Sequence, residues 1–291
     1  RKDSVWWFEF LPFILAYLKT KQETKKADII AAHEKAISYY RQHCQLPKTW
    51  ETDDDVREYL EIFYHCCQLG DYDRAFDTLR NKQNNVNNFL DLRGYNSSII
   101  ELYRELIAGW NPEMEKQNWR YGTSLIILGN AYQSSGQYQN AIKFYQRSLV
   151  IARESNDRST EGGSLCNLGH SYQSLGQYET AIHYHEQALE ILQSIGHLDF
   201  KANCLVGLGN AYGSLGQYQR VIEFYQQALD IKRDIGDRRG EGMSLGALGA
   251  AYKSLGQYQR AIEFHQQSLD IARDIGDRKQ EAISLGNLGI A

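Results

Sequence analysis

Histidine and cysteine are the first residues to test for chemistry, and the chain has eight of one and five of the other. His183 and His185 are two apart in a stretch of helical pattern. At 3.6 residues per turn this sets them about 200° apart, so they cannot share an ion. His43-Cys44 and His65-Cys66-Cys67 lack the ligand spacing of zinc sites. His185 and His265 stand where Tyr145 and Tyr225 stand in otherwise matching stretches, which marks them as packing residues. Cys44, Cys66, Cys67, Cys166 and Cys204 form no C-x-x-C pair and are odd in number. They read as buried free thiols in a reducing cytoplasm. No metal site and no cofactor are expected. There is no G-x-S-x-G elbow, no G-x-x-x-x-G-K-[ST] phosphate loop and no matched pair of carboxylates, so the chain does not read as an enzyme. Two other sets recur. Asn130 and Asn210, with His170 between them, carry groups that both donate and accept, as a peptide unit does. Arg158, Arg238 and Arg278 could pair with carboxylates.

These residues recur because the chain does. Leu128-Gly129-Asn130-Ala131-Tyr132 returns every 40 residues as Leu168-Gly169-His170-Ser171-Tyr172, Leu208-Gly209-Asn210-Ala211-Tyr212 and Leu248-Gly249-Ala250-Ala251-Tyr252, and Leu288-Gly289 begins a fifth copy. Gly-Gln-Tyr follows each full copy, at Gly136, Gly176, Gly216 and Gly256. Leu125, Leu128, Gly129 and Tyr132 fall on one face of a helix, helix A. Gly136 sits where a helix-ending glycine belongs. Helix B then runs from about Tyr138 to Glu154, with Ala141, Tyr145, Ser148 and Ala152 on one face. Small Gly129 and Ala141 let the two backbones approach. The aromatic ladder of Tyr132, Tyr138, Tyr145 and their copies reads as core. Between hairpins, Asn156-Asp157-Arg158, Gly236-Asp237-Arg238 and Gly276-Asp277-Arg278 supply a helix end and an aspartate N-cap. The Gly196-His197-Leu198-Asp199 junction lacks the arginine. Such a hairpin cannot bury its apolar faces alone, and stacked neighbours bury them.

L-G-x-x-Y, with an alanine twelve residues after the glycine and then an aromatic and a small residue on helix B, resembles the tetratricopeptide repeat family. The period is 40 and not about 34. The usual proline near the end of helix B is replaced by Arg153, Gln193, Arg233 and Arg273. Both departures resemble the long-repeat branch of kinesin light chain and the Pins-type spindle-orientation adaptors. The resemblance covers roughly residues 119–291, four full repeats and the start of a fifth. It implies an all-α fold, a right-handed superhelical α-solenoid of antiparallel helix pairs whose A helices line a concave groove. It implies as function a protein–protein interaction scaffold that binds a peptide or protein segment there. By that resemblance Asn130, His170 and Asn210 point into the groove and clamp a peptide backbone, with Gln133, Gln173 and Lys253 one turn further along. Thr123, Ile126 or Ile127, and Ser134 lie on the same side, opposite the core stripe. The arginines either meet acidic ligand groups or pair with a neighbour such as Asp157 or Glu161.

Residues 1–118 read as an irregular helical region. Ala27 to His43 has a helical apolar pattern. Asp53-Asp54-Asp55 opens a helix running to Leu69, and residues 54–82 form a degenerate repeat through Gly70, Tyr72 and Ala75. Asn84 to Asn88 is a polar break, and a helix follows from Ser97 to Trp110. The stretch Ala32 to Tyr40 resembles the helical linkers of bacterial signalling NTPases. This gives an alternative expectation: a ligand-sensing arm whose NTPase or protease effector lies outside the chain. Val5 to Leu18 is apolar but contains Glu9 and Pro12 and is shorter than the roughly 20 residues of a membrane span. The formal net charge is −4 and neither half is basic, so neither nucleic acid nor a membrane is an expected partner. Leu285 and Leu288, near the end of the sequence at Ala291, are candidates for self-association through the solenoid ends.

Overall fold

The computed structural model describes residues 26–81, 84–110 and 119–289. The chain divides into two compact units, Arg1–Asn111 and Pro112–Ala291. Among the described residues the regular elements are all helical, and no helix is long and apolar enough to cross a membrane. The Val5–Leu18 run and the Asn111-Pro112 helix stop lie outside the described residues.

The second unit is a stack of hairpins. Its helices are α6 (Trp119–Ser134), α7 (Tyr138–Glu154), α8 (Arg158–Ser174), α9 (Tyr178–Ser194), α10 (Leu198–Ser214), α11 (Tyr218–Asp234), α12 (Arg238–Ser254), α13 (Tyr258–Asp274) and α14 (Arg278–Gly289). Each packs against the next in sequence, and α8 also touches α6 and α10. This is the solenoid the 40-residue period predicts, with α6, α8, α10, α12 and α14 as the A helices. Leu125, Leu128, Leu165, Leu168, Leu205, Leu208, Leu245 and Leu248 are fully or almost fully buried along them. Gly136 ends α6 at φ +73°, a conformation that disfavours a Cβ. The Gln137 N–H then bonds back to the Tyr132 carbonyl at 2.8 Å and the Gly136 N–H to that of Gln133 at 2.9 Å. These two bonds satisfy carbonyls that the helix end would otherwise orphan. Asn156 adopts φ 55° where the other junctions have glycine. Asp157, Asp237 and Asp277 each accept the N–H three residues on, as the sequence predicts for N-caps.

Two expectations need correcting. Only the Tyr145 column of the aromatic ladder is fully buried; Tyr258 is exposed. In the Tyr132 column Tyr212 is buried and Tyr132, Tyr172 and Tyr252 are half-buried; all four stack face to face on helix B, against Phe224, Phe144, Tyr184 and Phe264, at 5.2–5.5 Å. Ile127 is buried and does not lie on the open side of α6.

The first unit holds α1 (Lys26–His43), α2 (Arg57–Gln68), α3 (Tyr72–Leu79), α4 (Val86–Leu92) and α5 (Asn96–Gly109). The acidic run Asp53-Asp54-Asp55 forms a 3-10 turn, Asp53–Val56, ahead of α2. Asp55 accepts the Glu51 and Thr52 N–H groups at 2.8 Å and so fixes the entry of the chain into the helix. Asn84 to Asn88 is not simply a break. Asn85 caps α4 by accepting the Asn88 N–H at 3.0 Å, and Val86 is fully buried. Polar residues there start a helix because asparagine satisfies the free N–H groups of its first turn. Phe63, Phe76, Leu79, Leu90, Tyr103 and Leu106 form the core.

Candidate functional site

Three successive A helices open a shallow pocket of about 390 Å³, lined by Gln133 of α6, His170, Gln173 and Ser174 of α8, Tyr178 at the start of α9, and Asn210 and Ser214 of α10. Four of the residues singled out from sequence, Gln133, His170, Gln173 and Asn210, therefore meet. Lys253 occupies the column of Gln133 and Gln173 one repeat beyond this pocket, where Ala250 replaces the amide. The larger open cavity, about 670 Å³, belongs to the first unit. Its lining mixes Arg41 and Arg74 with Asp71, Asp73 and Asp77.

The amides are held from beneath. The Tyr145 hydroxyl donates to Oδ1 of Asn130 at 2.7 Å and lies 3.0 Å from Oε1 of Gln133. Asn167 Nδ2 reaches the same Asn130 oxygen at 3.2 Å, and the Ser171 hydroxyl donates to Gln133 at 3.0 Å. Tyr225 likewise donates to Oδ1 of Asn210. With its oxygen engaged inward, each asparagine turns its amide nitrogen outward as a donor. Burial pushes the Tyr225 phenol up to about 12, so it stays protonated and donating.

The arginines belong elsewhere. Glu161 receives Arg153 at 2.9 Å and Arg158 at 2.7 Å; Glu241 receives Arg233 and Arg238, and Glu281 receives Arg273 and Arg278. Arg158 opens α8 twelve residues before His170, roughly 18 Å along the axis. The junction without an arginine is bridged differently: buried Lys232 reaches Asp199 at 2.6 Å and Asp237 at 2.9 Å.

The second repeat replaces the Asn–Tyr pair with two histidines. His170 and His185 meet edge to face, with ring centres 4.7 Å apart. Burial lowers His170 to about 4, and burial together with His170 lowers His185 to about 3, so both rings are neutral at pH 7. The Sγ atoms of Cys166 and Cys204 and a ring nitrogen of His185 lie within 4.8 Å of one another. These residues are far apart in sequence, on α8, α9 and α10, which is why ligand spacing along the chain gave no sign of the cluster. Alignment of the repeats on each other would have revealed it.

A family model for the tetratricopeptide repeat matches residues 120–194, 160–234 and 240–291. The chain belongs to the tetratricopeptide repeat family. Among solved structures, its tetratricopeptide fold is similar to that of the Rap conjugation gene regulator of plasmid pLS20 in complex with the Phr* peptide. That match has a TM-score of 0.61 and 13% identity over 88% of this chain and 78% of the other. BtubC (BKLC) from P. vanneervenii gives a TM-score of 0.55 and 19% identity over 87% and 93%. A signal transduction ATPase with numerous domains and a tetratricopeptide repeat sensor, from Pyrococcus horikoshii, gives 0.53 and 15% over 92% and 44%. At these identities the likeness is one of fold. No curated protein matches the chain.

Proposed function

We propose that the chain is a non-catalytic protein-interaction scaffold that holds an extended peptide segment across the A-helix face, centred on Gln133, His170, Gln173 and Asn210. The observation that carries this reading is the pocket where these side chains meet. Oriented amides there match the donors and acceptors of a peptide backbone, and tyrosine hydroxyls hold Asn130 and Asn210 in place before a ligand arrives, which lowers the entropy cost of binding. The fold likeness to a Rap regulator solved with a peptide supports it. Asn130 and Lys253 extend the site to either side.

A second reading, a sensing arm of a larger signalling protein, is favoured by the fold likeness to an ATPase whose repeats are a sensor and of which this chain spans 44%. The test of the first is capture of a partner by the whole chain, followed by titration of that partner's peptides against a triple variant, Asn130→Ala, Gln173→Ala and Asn210→Ala. The expected loss is about 1 kcal/mol per hydrogen bond. Equal affinity for the variant and the unaltered protein would overturn the assignment.

A further inference from the structure

The repeats act as controls for one another, and four of their columns break pattern around one point. At the Cys204 position the other copies carry Ser124, Ser164, Ser244 and Ser284. At that of Cys166 they carry Ile126, Val206 and Gly246; at that of His170, Asn130, Asn210 and Ala250; at that of His185, Tyr145, Tyr225 and His265. These positions run from residue 166 to residue 204 and lie on three helices, yet their side chains converge. The two sulfurs and the His185 ring lie within 4.8 Å of one another, and Nε2 of His170 is 3.7 Å from Cys166 Sγ. His170 follows Cys166 by four residues, on the same face of α8. Room for the imidazole comes from glycine: a Cβ on Gly207, where the other repeats carry Ile127, Asn167 and Ala247, would collide with the His185 ring.

His185 is fully buried, and neither of its ring nitrogens has a hydrogen-bond partner. A neutral imidazole has one donor and one acceptor to satisfy, and leaving them unmade in the interior is costly. His265 is equally buried and unpartnered, but its repeat offers Gly246, Ala250 and Ser284 where the second and third supply Cys166, His170 and Cys204. It has no ligand set and serves as the internal control.

We propose that Cys166, Cys204, His185 and His170 bind a single zinc(II) ion, pinning α8, α9 and α10 together beneath the pocket. Two thiolates and two imidazoles are a common set for structural zinc, which takes four ligands in a tetrahedron. With Zn–S near 2.3 Å and Zn–N near 2.0 Å, the tetrahedron edges are roughly 3.3–3.8 Å. The Cys166–His170 separation already falls in that range, and the two sulfurs and the His185 nitrogen, within 4.8 Å of one another, need to close by about 1 Å to reach it. Binding releases two thiol protons to solvent, and two thiolates balance the dication, so the buried site carries no net charge. The half-buried His170 ring lines the open pocket and gives the ion its route in. The site does not depend on a peptide binding above it.

The test is titration of the reduced, full chain with cobalt(II), then displacement by zinc(II). Saturation at one equivalent is expected, with the visible bands of a tetrahedral ion and sulfur-to-cobalt charge transfer in the near ultraviolet. Cys204→Ser and Cys166→Val install residues other repeats already carry, and circular dichroism checks that they fold; both are expected to abolish the charge-transfer bands. His170→Asn is expected to weaken binding, and His265→Tyr to leave it intact. Absence of a saturable tetrahedral spectrum in the unaltered protein, or its survival in folded Cys204→Ser, overturns the proposal.

Discussion

The hydroxyl of Tyr145 sits between the amide oxygens of Asn130 and Gln133, at 2.7 and 3.0 Å, joining the core of the first repeat to the open face of α6. Burial holds that phenol far above its ordinary range, so it remains a donor at any working pH. Tyr145→Phe keeps the ring and its packing and removes only this bond. The expected cost is about 1 kcal/mol, read as a lower urea midpoint at constant slope. Asn130 keeps only the longer bond from Asn167 at 3.2 Å, so peptide affinity is expected to fall even though no group facing the ligand has been deleted. Tyr225→Phe is expected to act in the same way through Asn210.

Two glycines of α10 should respond in opposite directions to the same change. A Cβ on Gly209 would lie 2.8 Å from Cε1 of Tyr225, a ring held in the core, whereas one on Gly213 would lie 3.6 Å from Val221 Cγ2, an ordinary contact. Gly209→Ala is expected to destabilise by about 1–3 kcal/mol through overpacking. Gly213→Ala is expected to stabilise by up to about 1 kcal/mol, because alanine is the better helix former. Thermal unfolding of the two variants side by side distinguishes them; a gain from Gly209→Ala would show that the close approach of ring and backbone is dispensable.

The extent of what could be read from sequence follows from whether a feature repeats. Helix B was legible to its end residues because Gly136, Ala141 and Tyr145 recur at fixed offsets, and repetition distinguishes a pattern from coincidence. Beyond the Gly70, Tyr72 and Ala75 spacing the first unit offers no clear copies, so the N-cap role of Asn85 was hidden in a run of similar polar residues. The convergence of Gln133, His170, Gln173 and Asn210 followed from the A-helix register, since one column of successive hairpins shares a face. The Cys166–His185–Cys204 cluster did not, because it is built of departures from the repeat, and each departure alone reads as an ordinary core substitution. The arginines were ambiguous for another reason: Glu161 lies three residues from Arg158, but nothing local indicates that Arg153 closes on the same carboxylate from the preceding helix.

Acid should destabilise the first unit earlier than its carboxylates alone would. His65 is buried, its Nδ1 is 2.8 Å from Nδ1 of His33, and Tyr40 and Tyr64 pack beside it. The nearby charged pair, Glu34 with Arg74, is already matched. Burial, helped by His33, lowers His65 to about 4 from an ordinary 6.5. The folded-state value lies below the unfolded one, so the unfolded chain takes up the proton first. Stability is full above pH 6.5 and is lost as pH falls from there towards 4. His65→Phe is expected to flatten this decline, read as the pH dependence of the unfolding midpoint between pH 7 and 4.5. An unchanged slope would assign the decline to other groups.

The junction clamps should contribute to stability and not to recognition. Glu161 is 7% exposed and receives Arg153 and Arg158, whereas Glu281 is 17% exposed and its partner Arg278 is 89% exposed. Glu161→Gln keeps the shape and removes the charge. Because both guanidinium groups remain about half in solvent, they are still hydrated and screening limits the loss to about 1–2 kcal/mol. Glu241→Gln is expected to match it, and Glu281→Gln to cost less because water already competes there. Added salt should narrow the gap between Glu161→Gln and the unaltered protein. Peptide affinity is the more telling measurement. If Arg158 reached acidic ligand groups, releasing it from Glu161 would tighten binding, but it opens α8 roughly 18 Å from His170. Affinity in Glu161→Gln is therefore expected to be unchanged, and an increase for acidic peptides would extend the binding face to the helix junctions.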